Sequence, residues 1–343
     1  PASPHVFPLG QTTPQFSNEF GTRTTVNRSN FPILNGMALY HLILKPGSFR
    51  EPHWHPNANE LAYCTQGEAL VTVFSNGNVH DCFTIKKDEM FFVPNGYLHA
   101  IENTGKDDAQ FVIAFSHHAP EDFGMSGAVG CLNANVMGNT WALPEAAAKD
   151  LRYSPKDSVI GRIEGTTQIP KTAGFANHYK MPVKSIPPLV ATEYGSATTL
   201  RKQFWPILDG ISMYALHLKG TGMREPHWHP QTAEMGYVQA GNARMTILSP
   251  GGKVDTYELS AGDMYFIPKA YPHHIENLNN DELRFLIFFD QDMPQDIGYT
   301  GALAAYPRNI VAPMLGCTEK ALPPIPPYPS DLFIVQKVNP VRP

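Results

Sequence analysis

Short segments in which apolar and polar residues alternate recur along this chain. Residues 37–44 read Met-Ala-Leu-Tyr-His-Leu-Ile-Leu, and residues 69–74 run into Ser-Asn-Gly, which is a strong hairpin signal. Further apolar segments lie at residues 61–65, 91–93 and 111–115. A period of two, interrupted by glycine, proline and asparagine, predicts β-strands joined by turns. We therefore expect an all-β protein built from many short strands.

The second half of the chain repeats the first with a constant offset. Pro32-Ile-Leu-Asn-Gly36 matches Pro206-Ile-Leu-Asp-Gly210, an offset of 174 because 206 minus 32 is 174. The offset holds without a gap from about residue 19 to residue 137. Duplication of one domain is the simplest explanation, and short strands with many turns suit a small jelly-roll barrel. We predict two tandem domains, at residues 1–160 and 161–343, the second including a connector and a proline-rich tail.

A few short helices are expected after each barrel. Residues 124–137 and 298–311 each have room for one short helix. Residues 143–151, Leu-Pro-Glu-Ala-Ala-Ala-Lys-Asp-Leu, predict a better one, because proline is favoured in the first turn of a helix. The proline-rich run at residues 322–329 predicts an extended segment or a flexible tail.

Composition excludes some classes of function. The net charge is -5 over 343 residues, without a block of basic residues that would suggest nucleic acid as a partner. Apolar runs stay far shorter than a membrane-spanning helix, so we expect no membrane partner. The N-terminus shows neither an initiator Met nor a signal-like apolar stretch. A processed secreted or periplasmic form and a cytoplasmic one both remain open.

One segment that occurs twice carries the chemistry. It reads Arg50-Glu-Pro-His53-Trp-His55 with Glu60 five residues later, and it recurs from Arg224 onward. Side chains at i and i+2 on a β-strand point to the same face, so two imidazoles aim into one space. The Glu adds an anionic oxygen, and a further histidine follows at His99 in the first copy.

Three histidines and one carboxylate, arranged identically twice, predict two metal sites. The expected ligands are His53, His55, Glu60 and His99 in one copy, and His227, His229, Glu234 and His273 in the other. Mixed imidazole and carboxylate ligands fit Mn²⁺ or Fe²⁺, whereas Zn²⁺ or Ni²⁺ can bind as strongly. Ligand type alone leaves the choice of metal open.

The same residues resemble the motifs of the cupin superfamily. Its first motif, Gly-x5-His-x-His-x3-4-Glu-x6-Gly, is matched in full by the first copy, and its second motif is matched around His99. Departures are Asp88 in place of the leading Gly of the second motif, and Thr221 and Ala270 in place of glycines in the second copy. The chain is thus similar to two-domain bicupins, with two cupin barrels in tandem.

Among bicupins, the Arg-Glu-x-His-Trp-His-Pro phrasing and the Gly-Asp-x-x-Tyr-x-Pro phrasing of residues 262–268 resemble oxalate decarboxylases. The resemblance implies two manganese ions, O2 as a cofactor, and cleavage of oxalate to formate and CO2. It also implies assembly into trimers or hexamers.

Two arginines are candidates for holding a substrate carboxylate. Arg50 and Arg224 each stand three residues before the first metal histidine of their copy. A guanidinium group presents a fork of donors that matches a carboxylate bound at a metal. In the resembling family an arginine at this place holds the substrate. A structural ion pair or a charge at the rim is the alternative.

The proton-handling residue is expected in residues 119–124, Ala-Pro-Glu-Asp-Phe-Gly. The family has a Ser-Glu-Asn-Ser lid there, and decarboxylation needs a proton at the carbon that CO2 leaves. Glu121 is the natural candidate, and Asp122 competes because the alignment can slip by one. Asp122 and Asp296 recur in both copies, which equally fits a helix N-cap. Glu121 occurs in only one copy, so we expect the first site to be active and the second structural or regulatory.

Other functions remain as alternatives. An open site with three histidines and one glutamate also suits a manganese or iron cupin dioxygenase. Oxalate oxidase is a closer variant, expected if the lid segment lacks a usable acid. A non-catalytic metal-binding or storage bicupin is the third alternative, although the full ligand sets count against pure storage. The aromatic residues Tyr63, Phe91, Tyr237 and Tyr265 are predicted to pack in the barrels.

Overall fold

The computed structural model describes residues 3–325 and 331–341. Part of the proline-rich run, residues 326–330, therefore lies outside the described residues. The chain divides into two compact units, which we call the N-terminal unit (residues 12–185 with 207–210) and the C-terminal unit (1–11, 186–206 and 211–343). These units are defined by packing rather than by duplication, so the division of the repeat at residue 160 stays a prediction.

The N-terminal unit consists of short strands followed by two short helices. Its strands are β2 (Phe16–Asn18), β3 (Gly21–Val26), β4 (Ala38–Leu44), β5 (Ser48–Trp54), β6 (Glu60–Gln66), β7 (Glu68–Ser75), β8 (Val79–Lys86), β9 (Glu89–Val93), β10 (Leu98–Asn103), β11 (Ala109–Phe115), β12 (Phe123–Gly124), β13 (Ile160–Arg162) and β14 (Lys180–Pro182). Its helices are α1 (Met125–Gly130) and α2 (Ala134–Thr140), and 3-10 turns cover Asn76–Asn78, Glu145–Ala147, Lys171–Gly174 and Val183–Ser185.

The C-terminal unit repeats this order. Its strands are β1 (Val6–Phe7), β15 (Val190–Thr192), β16 (Gly195–Leu200), β17 (Ser212–Leu218), β18 (Gly222–Trp228), β19 (Glu234–Ala240), β20 (Asn242–Ser249), β21 (Lys253–Ser260), β22 (Met264–Ile267), β23 (His273–Asn277), β24 (Leu283–Phe289), β25 (Ile297–Gly298) and β26 (Ile334–Gln336). Its helices are α3 (Tyr299–Ala304) and α4 (Arg308–Met314), with a 3-10 turn at Leu9–Gln11.

Each unit contains two antiparallel sheets. In the N-terminal unit one sheet has the order β14-β9-β6-β11-β4-β3-β2, and the other has the order β12-β5-β10-β7-β8 with β13 beside β5. The C-terminal unit has the corresponding orders β1-β22-β19-β24-β17-β16-β15 and β21-β20-β23-β18-β25, with β26 beside β18. Non-consecutive neighbours of this kind are typical of a jelly roll, and the predicted all-β fold with short helices is confirmed.

Apolar and polar residues alternate along the strands because one face of each sheet is buried in the barrel. Phe83, Phe91 and Phe111 are fully buried in the core of the N-terminal unit, and Tyr265 and Phe285 are fully buried in the core of the C-terminal unit. Among the described residues, no helix has the length and apolar character needed to cross a membrane.

Two details of the fold differ from expectation. The helix predicted at residues 143–151 is only the 3-10 turn Glu145–Ala147, because the alanine run has few apolar residues to bury. The repeat also continues beyond residue 137. Ile160 lies opposite Arg50, and Ile334, again 174 residues later, lies opposite Arg224. Each barrel is therefore completed by a strand that follows its helices.

Candidate metal centres

The predicted metal ligands come from both sheets of each unit. In the N-terminal unit β5 and β10 are neighbours, and their register places His53 directly opposite His99. His55 follows the end of β5, and Glu60 begins β6 in the other sheet. The strand alternation turns these side chains inward, so histidines from one sheet meet a carboxylate from the other.

The C-terminal unit brings its ligands together in the same way. The register of β18 and β23 places His227 opposite His273, while Glu234 begins β19. In both units the four ligand atoms lie within 4.8 Å of one another, and every ligand residue is buried. The structure thus assembles both predicted ligand sets.

Hydrogen bonds from the outer ring nitrogens orient the histidines. In the N-terminal unit the Nδ1 atoms of His53, His55 and His99 lie 2.8, 2.8 and 3.0 Å from the carbonyl oxygens of Glu51, Glu121 and Tyr97. A carbonyl oxygen can only accept a hydrogen bond, so Nδ1 carries the hydrogen and Nε2 keeps its lone pair for a metal.

The histidines of the C-terminal unit follow the same arrangement. The Nδ1 atoms of His227, His229 and His273 lie 2.7, 2.8 and 2.9 Å from the carbonyl oxygens of Glu225, Gln295 and Tyr271. In both units the carbonyl beside the second histidine belongs to the predicted lid segment, which therefore contacts a metal ligand directly.

The protonation states suit a divalent cation. Burial, reinforced by Arg50, lowers the pKa of His53 well below its usual value, so this imidazole is neutral near pH 7. Burial raises the pKa of Glu60, but the nearby His99 and His55 outweigh it and the net pKa is lowered. A neutral imidazole and an ionised carboxylate are the forms that bind metal, so the donor set fits the implied ion.

Arg50 and Arg224 line the pockets beside the metal ligands, and each pairs with an aspartate, Asp122 or Asp296. Arg50 is buried, and its guanidinium donates to Asp122 Oδ2 over 2.6 Å and to the carbonyl of Val159 over 3.3 Å. Arg224 pairs with Asp296 in the corresponding way. Both arginines line the pockets over the ligands, where a bound carboxylate would meet them.

Asp122 and Glu121 occupy different environments. Asp122 lines the pocket, and burial raises its pKa, but Arg50, His55 and Arg23 outweigh that effect and lower it. The Glu121 side chain is exposed, while its carbonyl oxygen accepts from His55. The helix N-cap alternative for Asp122 and Asp296 is wrong: Gly124 and Gly298 are the N-cap residues of α1 and α3, and the aspartates bind arginine instead.

Comparison with known proteins now decides the family. A family model described as "Cupin" matches residues 7–149 and 183–321, which is most of the chain. The chain belongs to the cupin family. Because the model matches twice, the protein is a bicupin, in agreement with the two barrels and their two ligand sets.

Several relatives of this bicupin are similar over most of their length. It is 26% identical to the oxalate decarboxylase OxdC of Bacillus subtilis over 307 residues, which covers 85% of this chain and 77% of that protein. It is 26% identical to an oxalate decarboxylase of Arthroderma benhamiae over 314 residues, covering 83% and 73%. A solved structure of the B. subtilis oxalate decarboxylase, from work on its Mn(II) centres, superposes with a TM-score of 0.86 at 23% identity, covering 98% and 89%.

Sequence reasoning missed three residues that distinguish the two centres of the bicupin. Arg23 lines the N-terminal pocket and donates to Asp122 over 2.5 Å, and Ala197 takes its place in the C-terminal pocket. Phe333 lies under Arg224, with the guanidinium carbon 3.5 Å from the ring centroid. The third residue is Tyr265, which was expected only to pack.

Tyr265 packs in the core as predicted, but it also bonds a metal ligand. Its hydroxyl donates to Glu234 Oε1 over 2.5 Å. Phe91 takes the same position in the N-terminal unit, and among the described residues Glu60 Oε1 is buried without a hydrogen-bond partner. Aligning the two copies of the repeat would have revealed the Phe-to-Tyr difference, although not its contact.

Proposed function

We propose that this bicupin is a manganese-dependent oxalate decarboxylase whose N-terminal centre performs the reaction. The bicupin fold, two complete ligand sets and the similarity to oxalate decarboxylases support a carboxylate substrate at a metal. Manganese is supported by the Mn(II) centres of the similar B. subtilis enzyme. The observation that carries the choice of centre is the pair of arginines, Arg23 and Arg50, in the N-terminal pocket.

The charges of the N-terminal pocket suit a dianion. Arg23 and Arg50 each contribute +1, and their shared partner Asp122 contributes -1, which leaves +1 beside the metal ligands. Arg224 is the one arginine among the described residues that line the C-terminal pocket, where it pairs with Asp296, and Ala197 stands where Arg23 does. Arg201 hydrogen-bonds Tyr214 from the neighbouring pocket, which it lines together with Asp296. Oxalate carries two negative charges, so complementarity favours the N-terminal pocket.

The Arg50–Asp122 ion pair must open when oxalate binds. The N-terminal pocket encloses only about 10 Å³, enough for a single water molecule and too small for oxalate. Arg50, whose charge acts on the metal ligand His53, would turn from Asp122 to the substrate carboxylate. Arg23 would keep Asp122 as its partner, so the aspartate stays paired when Arg50 leaves it.

The metal would be held by His53, His55, Glu60 and His99, and when bound it supplies a Lewis acid that polarises the substrate carboxylate. The protein orients oxalate through Arg50 and excludes water with the walls formed by Tyr40, Ile113 and Phe115. O2 as a cofactor and assembly into trimers or hexamers belong to the same proposal.

A proton completes the reaction. The carbon–carbon bond of oxalate breaks, CO2 leaves, and one proton is added to the remaining carbon to give formate. Glu121 remains our candidate donor, because it has Gln295 as its counterpart in the other copy. Its exposed side chain would have to turn inward with the lid segment. Asp122 already lines the pocket but is held ionised by the arginines, which makes it a poorer acid in this arrangement.

Oxalate oxidation is the second candidate. The state of the lid carboxylates favours oxidation: Asp122 is ionised and the Glu121 side chain is exposed, so the pocket holds no protonated carboxylic acid. Oxalate would then lose two electrons to O2, giving two CO2 and hydrogen peroxide. A dioxygenase or a non-catalytic metal-binding protein remains as an alternative that a lack of oxalate turnover would favour.

The test is oxalate turnover by the Mn²⁺-loaded protein at mildly acid pH, with formate and peroxide measured separately. Formate lost in Glu121→Gln and retained in Asp122→Asn would support decarboxylation with Glu121 as the acid. The opposite result would assign the proton to Asp122. Peroxide without formate would select the oxidase, and no turnover with both centres loaded would remove oxalate as the substrate.

A further inference from the structure

The two centres differ in how the ligand carboxylate is held. In each centre Glu Oε2 faces the histidines: in the C-terminal centre it lies 2.8 Å from His229 Nε2 and 3.3 Å from His273 Nε2. Glu234 Oε1 points the other way and accepts from the Tyr265 hydroxyl over 2.5 Å. One oxygen therefore serves the metal position, and the other is occupied by a phenol.

Gly236 makes this contact possible. The register of β19 and β22 places Gly236 directly opposite Tyr265, and Glu234, two residues earlier, points to the same face. A Cβ added at Gly236 would lie 2.0 Å from Tyr265 Cε1 and 2.6 Å from its hydroxyl oxygen. The ring thus lies across the strand only because residue 236 has no side chain, and this position brings the hydroxyl to Glu234.

The N-terminal centre has different residues at the positions that correspond to Gly236 and Tyr265. Ala62 stands opposite Phe91 in the same register, so a Cβ occupies the space that the tyrosine ring uses in the other barrel. Phe91 also has no hydroxyl to donate. Among the residues that the structure describes, Glu60 Oε1 accordingly has no hydrogen-bond partner although it is buried.

We propose that Tyr265, which packs against Gly236, fixes Glu234 as a ligand through one oxygen. As a result, the C-terminal centre holds its metal more tightly than the N-terminal centre. A hydrogen bond to the second oxygen orients the carboxylate and prevents it from turning to bind through both oxygens. Glu60 keeps its second oxygen free, so the N-terminal centre can change its carboxylate coordination when a substrate binds. Tyr265 is in this sense a positioning residue.

The inference concerns metal binding and is tested without oxalate. Proteins with a single working centre are prepared by His227→Ala with His229→Ala, or by His53→Ala with His55→Ala, and loaded with Mn²⁺. Release of Mn²⁺ to excess chelator at pH 8 and the Mn(II) electron paramagnetic resonance spectrum are then recorded. Failure of the oxalate proposal would leave both readouts intact.

Tyr265→Phe removes the hydroxyl and keeps the ring. In the protein with only the C-terminal centre we expect Mn²⁺ to be released about 10- to 100-fold faster, the range typical of lost hydrogen bonds to metal ligands. The spectrum should also change its fine structure. Gly236→Ala should act alike, because the added Cβ displaces the Tyr265 ring and moves its hydroxyl away from Glu234.

The reciprocal change gives the matched control. In the protein with only the N-terminal centre, Phe91→Tyr alone should leave Mn²⁺ release within about twofold, because Ala62 blocks the ring. Phe91→Tyr with Ala62→Gly should slow release by at least about tenfold. Unchanged release and spectrum in folded Tyr265→Phe would overturn the proposal. If that variant does not fold, an unchanged release rate in the double variant would overturn it as well.

Discussion

The N-terminal and C-terminal pockets share their metal ligands and most of their walls, and they differ at a few positions around the buried arginine. Both hold three histidines and one glutamate, oriented by the same main-chain carbonyls. The N-terminal pocket adds Arg23, and the C-terminal pocket adds Phe333 beneath its arginine. Duplication therefore preserved metal binding while the charge beside the buried arginine diverged, so the ligands alone do not tell which centre reacts.

Removal of Arg50, the proposed substrate-binding arginine, should have the largest effect. Arg50→Ala should lower kcat/KM for oxalate by about 100- to 1,000-fold, since losing a buried charge-assisted contact costs about 3 to 4 kcal/mol. Arg224→Ala should lower it much less, because the C-terminal pocket is not the reacting one in this account. Steady-state formate production decides, and an equal loss in both variants would break the distinction between the pockets.

A contact that the two units share should give equal effects. The Glu51 carboxylate accepts from the amides of Val159 and Ser126 over 2.5 and 3.0 Å. The Glu225 carboxylate accepts from the amides of Phe333 and Thr300 over 2.7 and 3.1 Å, and also from the Thr300 hydroxyl over 2.7 Å. Glu51→Gln and Glu225→Gln should each lower the free energy of unfolding by about 2 kcal/mol, because a buried charged acceptor is lost.

Urea unfolding of the metal-free protein measures both changes. A loss confined to one variant would show that this contact, too, has diverged between the units.

Arg23 should contribute a smaller, charge-based effect. Arg23→Ala should raise KM for oxalate by about fivefold with a smaller change in kcat, because a partly exposed guanidinium contributes about 1 kcal/mol of attraction. Arg23→Lys keeps the charge and should recover most of the loss. A wild-type KM in Arg23→Ala would remove charge as the reason for assigning the reaction to this pocket.

The smallest effect is a pH dependence of metal binding in the C-terminal centre. Burial lowers the pKa of His229, but Glu234 and Asp296 outweigh it, so the pKa is raised above 6.5. Metal-free His229 therefore holds a proton below that raised pKa, and Mn²⁺ must displace it. Affinity should fall by less than about tenfold per pH unit as the pH decreases below neutrality. Chelator competition between pH 8 and 6 measures it, and a constant affinity would contradict the shift.

The ligand sets could be predicted from the sequence because part of their geometry is local and the same motif occurs twice. His53 and His55 share a strand face, and the repeat supplies the same pattern a second time. The strand that completes each barrel, at Ile160 and Ile334, escaped the comparison because a long variable stretch precedes it.

The surroundings of the centres depend on contacts between distant segments, which spacing cannot reveal. Arg23 meets Asp122 across 99 residues of chain, and Tyr265 meets Glu234 across 31. The helix-cap alternative for Asp122 was wrong for the same reason: its place before a glycine in both copies suggested a cap, while its partners Arg23 and Arg50 lie on β3 and β5.

The assignment of the reaction to the N-terminal centre is tested with the single-centre proteins, after their Mn²⁺ content has been confirmed. The protein with only the N-terminal centre, made by His227→Ala with His229→Ala, should retain most of the formate production from oxalate. The protein with only the C-terminal centre, made by His53→Ala with His55→Ala, should lose nearly all of it. Formate production that follows the C-terminal centre instead would contradict the assignment.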